Sequence, residues 1–187
     1  MRRIAWAVML LSGVGTALGG DYEILGTNES GVVSIQISGS SDARITETFT
    51  APEVSKLVLA RGPNKDVCYL TPAGGDNTFT GGVEIVNCQL RYDGPSVNAC
   101  FGEGPLAFVD KTGAFFAMAE ADVPNRLEVL PATWVASDGK CRLTLRNIGF
   151  SPGNTSHIIG LGRANADGVS VNVLSLTNEN CDVIGQV

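Results

Sequence analysis

The chain has 187 residues, with 13 basic and 19 acidic side chains and a formal net charge of −6. Proteins that bind nucleic acids or anionic membranes use basic stripes that displace counterions from phosphates. The nearest approach to such a stripe here is Arg142 and Arg146, so we expect no nucleic-acid partner. The length is typical of one domain, which at this size buries roughly 70% of its unfolded surface without help from a metal.

The first nineteen residues have the pattern of a secretory signal. Arg2 and Arg3 precede the apolar run Ile4 to Leu18, and small residues up to Gly19 suit a signal peptidase. The apolar run is shorter than the roughly 20 residues that span a bilayer. We therefore predict a cleaved signal at 1–19, a single secreted domain at 20–187, and no membrane insertion after cleavage. The location would be extracellular, or periplasmic in a Gram-negative bacterium.

Short apolar or alternating runs, bounded by turn residues, fill the rest of the sequence. Two pairs of runs resemble β-hairpins: 83–92 with 97–101, and 106–109 with 114–118. A helix is the alternative for the alanine-rich end of the second pair. Neither an amphipathic helix of period 3.6 nor an internal repeat is visible. The sequence predicts an all-β fold, an antiparallel β-sandwich or barrel of about nine to eleven short strands.

Five cysteines lie beyond the signal, and an exported protein would hold most of them in disulfides. We predict a Cys68–Cys88 bridge, because it closes a turn-rich loop, and a second bridge between Cys141 and Cys181, for which Cys100–Cys141 is the alternative. This leaves Cys100 as a free thiol, either buried or able to form a covalent dimer. A Cys88–Cys100 bridge across the first predicted hairpin is the main rival.

Few residues have the arrangement that catalysis or metal binding needs. His157 is the single histidine, and it would have to act as the base of any triad. Two pairs of acids lie close in sequence, Glu120 with Asp122 and Glu179 with Asp182, as a glycosidase would need. These acids could also help to hold calcium, together with Asp76 and Asn77 or with Asn165 and Asp167, although no calcium-loop motif is present. A solvated loop is the favoured interpretation for Glu120 and Asp122. We therefore predict neither a catalytic residue nor a metal site, and no cofactor.

Three further residues carry weaker signals. Asn28 and Asn154 begin glycosylation sequons, which have meaning if the source is a eukaryote. Trp134 is the sole tryptophan after the signal, and a core position is favoured over a sugar-stacking platform.

These features favour a secreted, non-enzymatic protein that binds an extracellular protein or glycan, such as a host-directed effector, an adhesin or a cell-surface module. One alternative is a barrel that carries a small apolar ligand. The other is an extracellular polymer hydrolase that would use Glu120, Asp122 and His157.

Overall fold

The computed structural model describes residues 16–17, 20–39, 42–64, 66–72, 74–94, 96–109, 113–129, 134–137, 142–150, 158–159 and 173–176. Within these ranges the chain forms fifteen strands and one short helix. In chain order they are β1 (Thr16–Ala17), β2 (Gly20–Thr27), β3 (Val32–Ile37), β4 (Ala43–Ile45), β5 (Lys56–Arg61), β6 (Val67–Leu70), β7 (Val83–Val86), β8 (Gln89–Tyr92), α1 (Val97–Phe101), β9 (Leu106–Val109), β10 (Ala114–Ala117), β11 (Ala121–Val129), β12 (Trp134–Ser137), β13 (Arg142–Phe150), β14 (Ile158–Ile159) and β15 (Val173–Leu176).

From β3 onward the strands alternate between two sheets. The nine-stranded sheet has the order β1-β2-β3-β5-β7-β9-β11-β13-β15, and the six-stranded sheet has the order β14-β12-β10-β8-β6-β4. Except for the antiparallel strands β1 and β2, all neighbours within each sheet are parallel. The chain therefore winds as a β-solenoid whose coils each contain one strand of either sheet: β3–β4 is coil 1, β5–β6 coil 2, β7–β8 coil 3, β9–β10 coil 4 and β11–β12 coil 5.

Buried side chains stack in register from coil to coil. In the six-stranded sheet, the partners Ala43, Cys68, Leu90, Phe115 and Val135 form one inward ladder, and all five are buried. The nine-stranded sheet has a matching ladder of buried residues, formed by Val33, Leu57, Val83, Leu106 and Leu127. Since each side chain contacts its counterpart above and below, the two ladders fill the space between the sheets.

The predicted antiparallel sandwich or barrel is wrong, although the all-β class and the short strands are confirmed. Alternation with period two shows that a strand has one buried face, but it does not say which strand lies beside it. Here the chain passes through one strand of the other sheet before it returns to pair with the previous strand. Paired residues in the ladder of the nine-stranded sheet therefore lie 21 to 26 residues apart in sequence. The repeat is one of structure rather than of residue identity, which is why no internal repeat is visible in the sequence.

Both predicted hairpins are also wrong. The strands of 106–109 and 114–118 are present as β9 and β10, but each belongs to a different sheet. The run at 83–92 is interrupted by Asn87, whose φ of 55° turns the chain between β7 and β8. Residues 97–101 form the helix α1, because the Ser96 side chain accepts a hydrogen bond from the Ala99 amide as an N-cap.

The N-terminal strands cover one edge of the nine-stranded sheet. β2 pairs antiparallel with β3, and β1 pairs with the beginning of β2 at Thr16–Asp21. By pairing with β3, strand β2 satisfies the hydrogen-bonding groups of β3 that would otherwise form an open sheet edge. The signal at 1–19 stays a prediction. In the described part of the chain, no helix has both the length and the apolar character needed to cross a membrane.

Candidate functional site

One side of the solenoid carries the longest connections. We call it the loop flank, defined by residues 46–55, 74–82 and 96–105, which lead from the six-stranded sheet back to the nine-stranded sheet in coils 1, 2 and 3. Each loop contributes one buried aromatic ring, from Phe49, Phe79 and Phe101 respectively. These rings anchor loops that have no strand pairing of their own.

Asn77 joins the three loops through its side-chain amide. Its Oδ1 accepts a hydrogen bond from the Phe49 amide at 2.8 Å, and its Nδ2 donates to the Cys100 carbonyl at 2.7 Å. Its own backbone N–H donates to the Ala99 carbonyl at 3.0 Å. The side chain is 4% exposed, and both ends of the amide are satisfied, so Asn77 fixes the spacing of three successive loops.

Asn125 has a similar position in coil 5, but only half of its amide is satisfied. Its Nδ2 donates to the carbonyls of Gly102 and Gly104, at 3.0 and 2.6 Å. Its Oδ1 is buried and has no hydrogen-bond donor among the described residues. The register of β11 against β13 shifts between Val123 and Arg126. This irregularity, at Pro124, places the amide of Asn125 against the loop that follows α1.

A polar cleft opens between these loops. It has a volume of about 320 Å³, and its lining residues come from two loops of the flank and from strand β11: Asp76, Asn77, Thr78, Gly102, Glu103, Pro124 and Asn125. Asp76, Thr78, Glu103 and Pro124 are exposed at its mouth, whereas the two asparagines are buried. The middle of the cleft requires a glycine at position 102. Gly102 has a φ of 61°, and a Cβ there would lie 2.4 Å from the Phe79 carbonyl oxygen.

The chemistry of the cleft is dominated by hydrogen-bond acceptors. Two carboxylates, one hydroxyl and the amide groups of two asparagines line it, and no lysine or arginine is among the described lining residues. Pro124 supplies an apolar surface beside them. Such a cleft suits a neutral ligand that has several hydroxyl donors, and it disfavours an anion.

The outer face of the six-stranded sheet has a second polar feature, the in-register row Arg44, Tyr69 and Arg91. Arg44 lies over the Tyr69 ring at 4.2 Å from its centroid and donates to the Asp93 carboxylate at 3.1 Å. Arg91 forms an ion pair with Asp42 at 3.2 Å. Because both guanidinium groups already have partners within the chain, this row stabilises the stacking of coils rather than presenting free charge.

Of the three residues proposed for hydrolysis, the two that the structure describes do not line the cleft. Glu120 and Asp122 are exposed near the beginning of β11, and Asp122 has an interaction partner. His157 lies outside the described residues. Among the described residues, no three His, Cys, Asp or Glu side chains gather as a metal site would require. The carrier alternative required a closed barrel, and the two-sheet solenoid with its filled interior removes that basis.

Of the residues with weaker signals, the structure describes Asn28 in full. Asn28 lies in the exposed β2–β3 turn, where its Oδ1 accepts from the Ser30 and Val32 amides at 2.9 and 3.0 Å. Asn154 lies outside the described residues, and of Trp134 the structure describes the strand but not the side chain. Glycosylation stays a prediction.

Three of the five cysteines are described, and all three are buried free thiols. The structure therefore has no disulfide among them, and the Cys68–Cys88 bridge stays a prediction. Cys141 and Cys181, the second predicted pair, lie outside the described residues. Burial and the nearby Asp93 carboxylate raise the pKa of the Cys100 thiol to about 11.

Sequence reasoning singled out Asp76 and Asn77, but for calcium, and it missed Thr78, Glu103 and Asn125. These residues are far apart in sequence and meet because the coils stack. One signal was present: Pro124 interrupts a strand-like run, and proline within a strand often marks a bulge. Comparison with known proteins finds no family model, no curated relative and no solved structure that matches this chain.

Proposed function

We propose that the protein is a secreted, non-enzymatic binding protein that recognises a neutral glycan through the polar cleft. The observation that carries this proposal is the convergence of two carboxylates and two buried asparagines on one open cavity of about 320 Å³. That volume is at the lower end of the range for small-ligand sites. It suits one or two sugar units rather than an extended protein surface.

The acceptor-rich lining supports a sugar over other small ligands. Sugar hydroxyls donate to carboxylates and amide oxygens, and hydrogen bonds to charged groups contribute about 1.5–3 kcal/mol each. Asp76 and Glu103 are exposed and free to meet a ligand, while Pro124 offers a surface to the apolar face of a sugar ring. The rigid loop flank lowers the entropic cost of binding, because Asn77 and Asn125 already fix the loops.

The experiment is a screen of the full chain against an array of neutral and acidic oligosaccharides, followed by calorimetric titration of the strongest binder. We expect binding of neutral glycans. The near-isosteric variants Asp76→Asn and Glu103→Gln each remove a charge-assisted hydrogen bond and should weaken binding by about 10-fold or more.

Glu29→Gln is the matched control, because Glu29 is an exposed acid in the β2–β3 turn and is not part of the cleft lining. Its affinity should equal that of the parent protein. Binding that is unaffected by the Asp76 and Glu103 variants would overturn the cleft as the site. Binding of proteins but of no glycan would overturn the ligand class.

A further inference from the structure

Cys68 and Cys88 come from different coils and meet at one corner of the interior. Cys68 belongs to the inward ladder of the six-stranded sheet in coil 2, and Cys88 lies in the turn between β7 and β8 of coil 3. Their exposed fractions are 0% and 1%. No side chain has to leave the core for the two sulfur atoms to approach each other.

Two contacts aim the thiols at the same boundary between coils. The Cys68 Sγ donates to the carbonyl of Gln89, the residue that follows Cys88, at 3.4 Å. The Cys88 Sγ donates to the carbonyl of Leu59, in the coil of Cys68, at 3.5 Å. Each thiol therefore points across the boundary toward the coil of the other. The pKa of Cys68 is raised well above its ordinary value because the Cys88 side chain lies within hydrogen-bonding reach and because burial disfavours the thiolate.

The third described cysteine cannot compete for either thiol. Cys100 lies against Gly94, where a Cβ would come within 2.8 Å of its Sγ, and its pKa responds to Asp93. These contacts place Cys100 near the C-terminal end of β8, whereas Cys88 immediately precedes the N-terminal end of the same strand. A strand rises about 3.3 Å per residue, so the four residues of β8 separate the two ends by roughly 13 Å. Disulfides need Cα atoms about 4.4–6.8 Å apart.

We propose that Cys68 and Cys88 form a disulfide that joins coil 2 to coil 3 and that forms while the chain folds. In this reaction a Cys68 or Cys88 thiolate attacks a disulfide oxidant, such as oxidised glutathione, giving a mixed disulfide and one released thiol. The second cysteine, as its thiolate, attacks the mixed disulfide, so one S–S bond forms in the protein. The oxidant has taken two electrons and two protons and leaves as two thiols.

The burial of both sulfur atoms sets the order of events. An oxidant cannot reach them once coil 3 covers coil 2, and burial disfavours the thiolate of Cys68 in the folded chain. The bond therefore forms in the unfolded or partly folded chain. A folded, reduced protein should acquire it only at the rate at which it unfolds.

The test is refolding of the reduced full chain with oxidised glutathione, followed by alkylation in denaturant and non-reducing peptide mapping. We expect a linked peptide that joins Cys68 to Cys88. The same link should appear in the Cys100→Ala variant and be lost in Cys68→Ala. Closing this loop should also lower the equilibrium constant for unfolding by about 100-fold.

Two results would overturn the proposal. One is a link between Cys88 and Cys100, and the other is complete alkylation of both Cys68 and Cys88 after oxidative refolding. The order of events has its own test, in which oxidised glutathione is added to the folded, reduced protein. Formation of the link at the unfolding rate supports it, and formation much faster than unfolding overturns it.

Discussion

The interior of the solenoid and its loop flank hold successive coils together by different means. In the interior, the ladders repeat similar apolar side chains, so the stabilising contacts are spread evenly and have little direction. In the loop flank, Asn77 and Asn125 make a few directional bonds to backbone groups of neighbouring loops. The interior therefore tolerates exchange among apolar residues, whereas the flank depends on single residues. Because a few bonds from Asn77 and Asn125 hold the loops, the other loop residues are not needed for packing and can line a cleft.

The largest effect is expected where the two regions meet. Phe101 is 0% exposed, and its ring contacts Phe115 of the interior ladder with centroids 5.9 Å apart. Phe101→Ala should lower the free energy of unfolding by about 3–5 kcal/mol, since it removes buried area and leaves a cavity. Guanidinium denaturation measures this. Phe116→Ala, on a partly exposed phenylalanine of β10, is the control. Equal losses in both variants would contradict the burial that we describe.

The directional bonds of the flank come next. Asn77→Ala leaves the Phe49 amide and the Cys100 carbonyl buried without their partner, and each such group costs about 1–3 kcal/mol. We expect a loss of about 2–4 kcal/mol in the free energy of unfolding.

Asn125→Ala sharpens the comparison, because this residue serves two carbonyls and its own Oδ1 has no donor among the described residues. Carbonyl groups tolerate the loss of a partner better than N–H groups do. We expect a loss of about 1–2 kcal/mol. A larger loss for Asn125 than for Asn77 would show that the satisfied amide is not the stronger link.

A smaller effect follows from the Cys100 thiol of the flank. Its pKa is raised from 9.0 to about 11 by burial first and by Asp93 second, so the folded state holds the proton more tightly than the unfolded state does. The stability that this group contributes is fully present below pH 9 and is lost as the pH rises through about 11. The denaturation midpoint should fall over this window, and Cys100→Ala should flatten the fall. An unchanged slope in the variant would contradict this assignment.

The smallest effect is expected on the outer surface. Lys56 and Glu84 form an ion pair at 2.5 Å between coils 2 and 3, but both side chains are about one-third exposed. Solvent screens such pairs, so Lys56→Met should change the free energy of unfolding by less than about 1 kcal/mol. Thermal denaturation at low and high salt tests this. A loss of unfolding free energy as large as that of Asn77→Ala would contradict the small contribution expected of a surface ion pair.

The positions of most strands could be predicted from the sequence, but their pairing could not. The alternating run Val32–Ile37 and the apolar run Leu106–Val109 are both strands in the structure. Their partners lie a full coil away, and neither length nor turn residues identify a partner at that distance. The Asp110–Gly113 segment has the composition of a hairpin turn, yet it connects strands of two different sheets.

The cleft was harder to predict than the fold. Asp76 lies in a loop of coil 2 and Asn125 in strand β11 of coil 5, and their meeting depends on the register that sequence alone did not supply. The Cys68–Cys88 bridge stays a prediction, which the sequence based on a turn-rich loop between the two residues. The structure holds both as free thiols, with contacts at one boundary between coils.

The most direct test of the parallel solenoid is a set of nuclear Overhauser contacts from β9 in the labelled full chain. Ala107 is paired with Glu84 of β7 and Glu128 of β11, both a coil away in sequence. We predict backbone contacts from Ala107 to these two residues and none to Phe116. Close backbone contacts between Ala107 and Phe116 would indicate an antiparallel hairpin and contradict the solenoid.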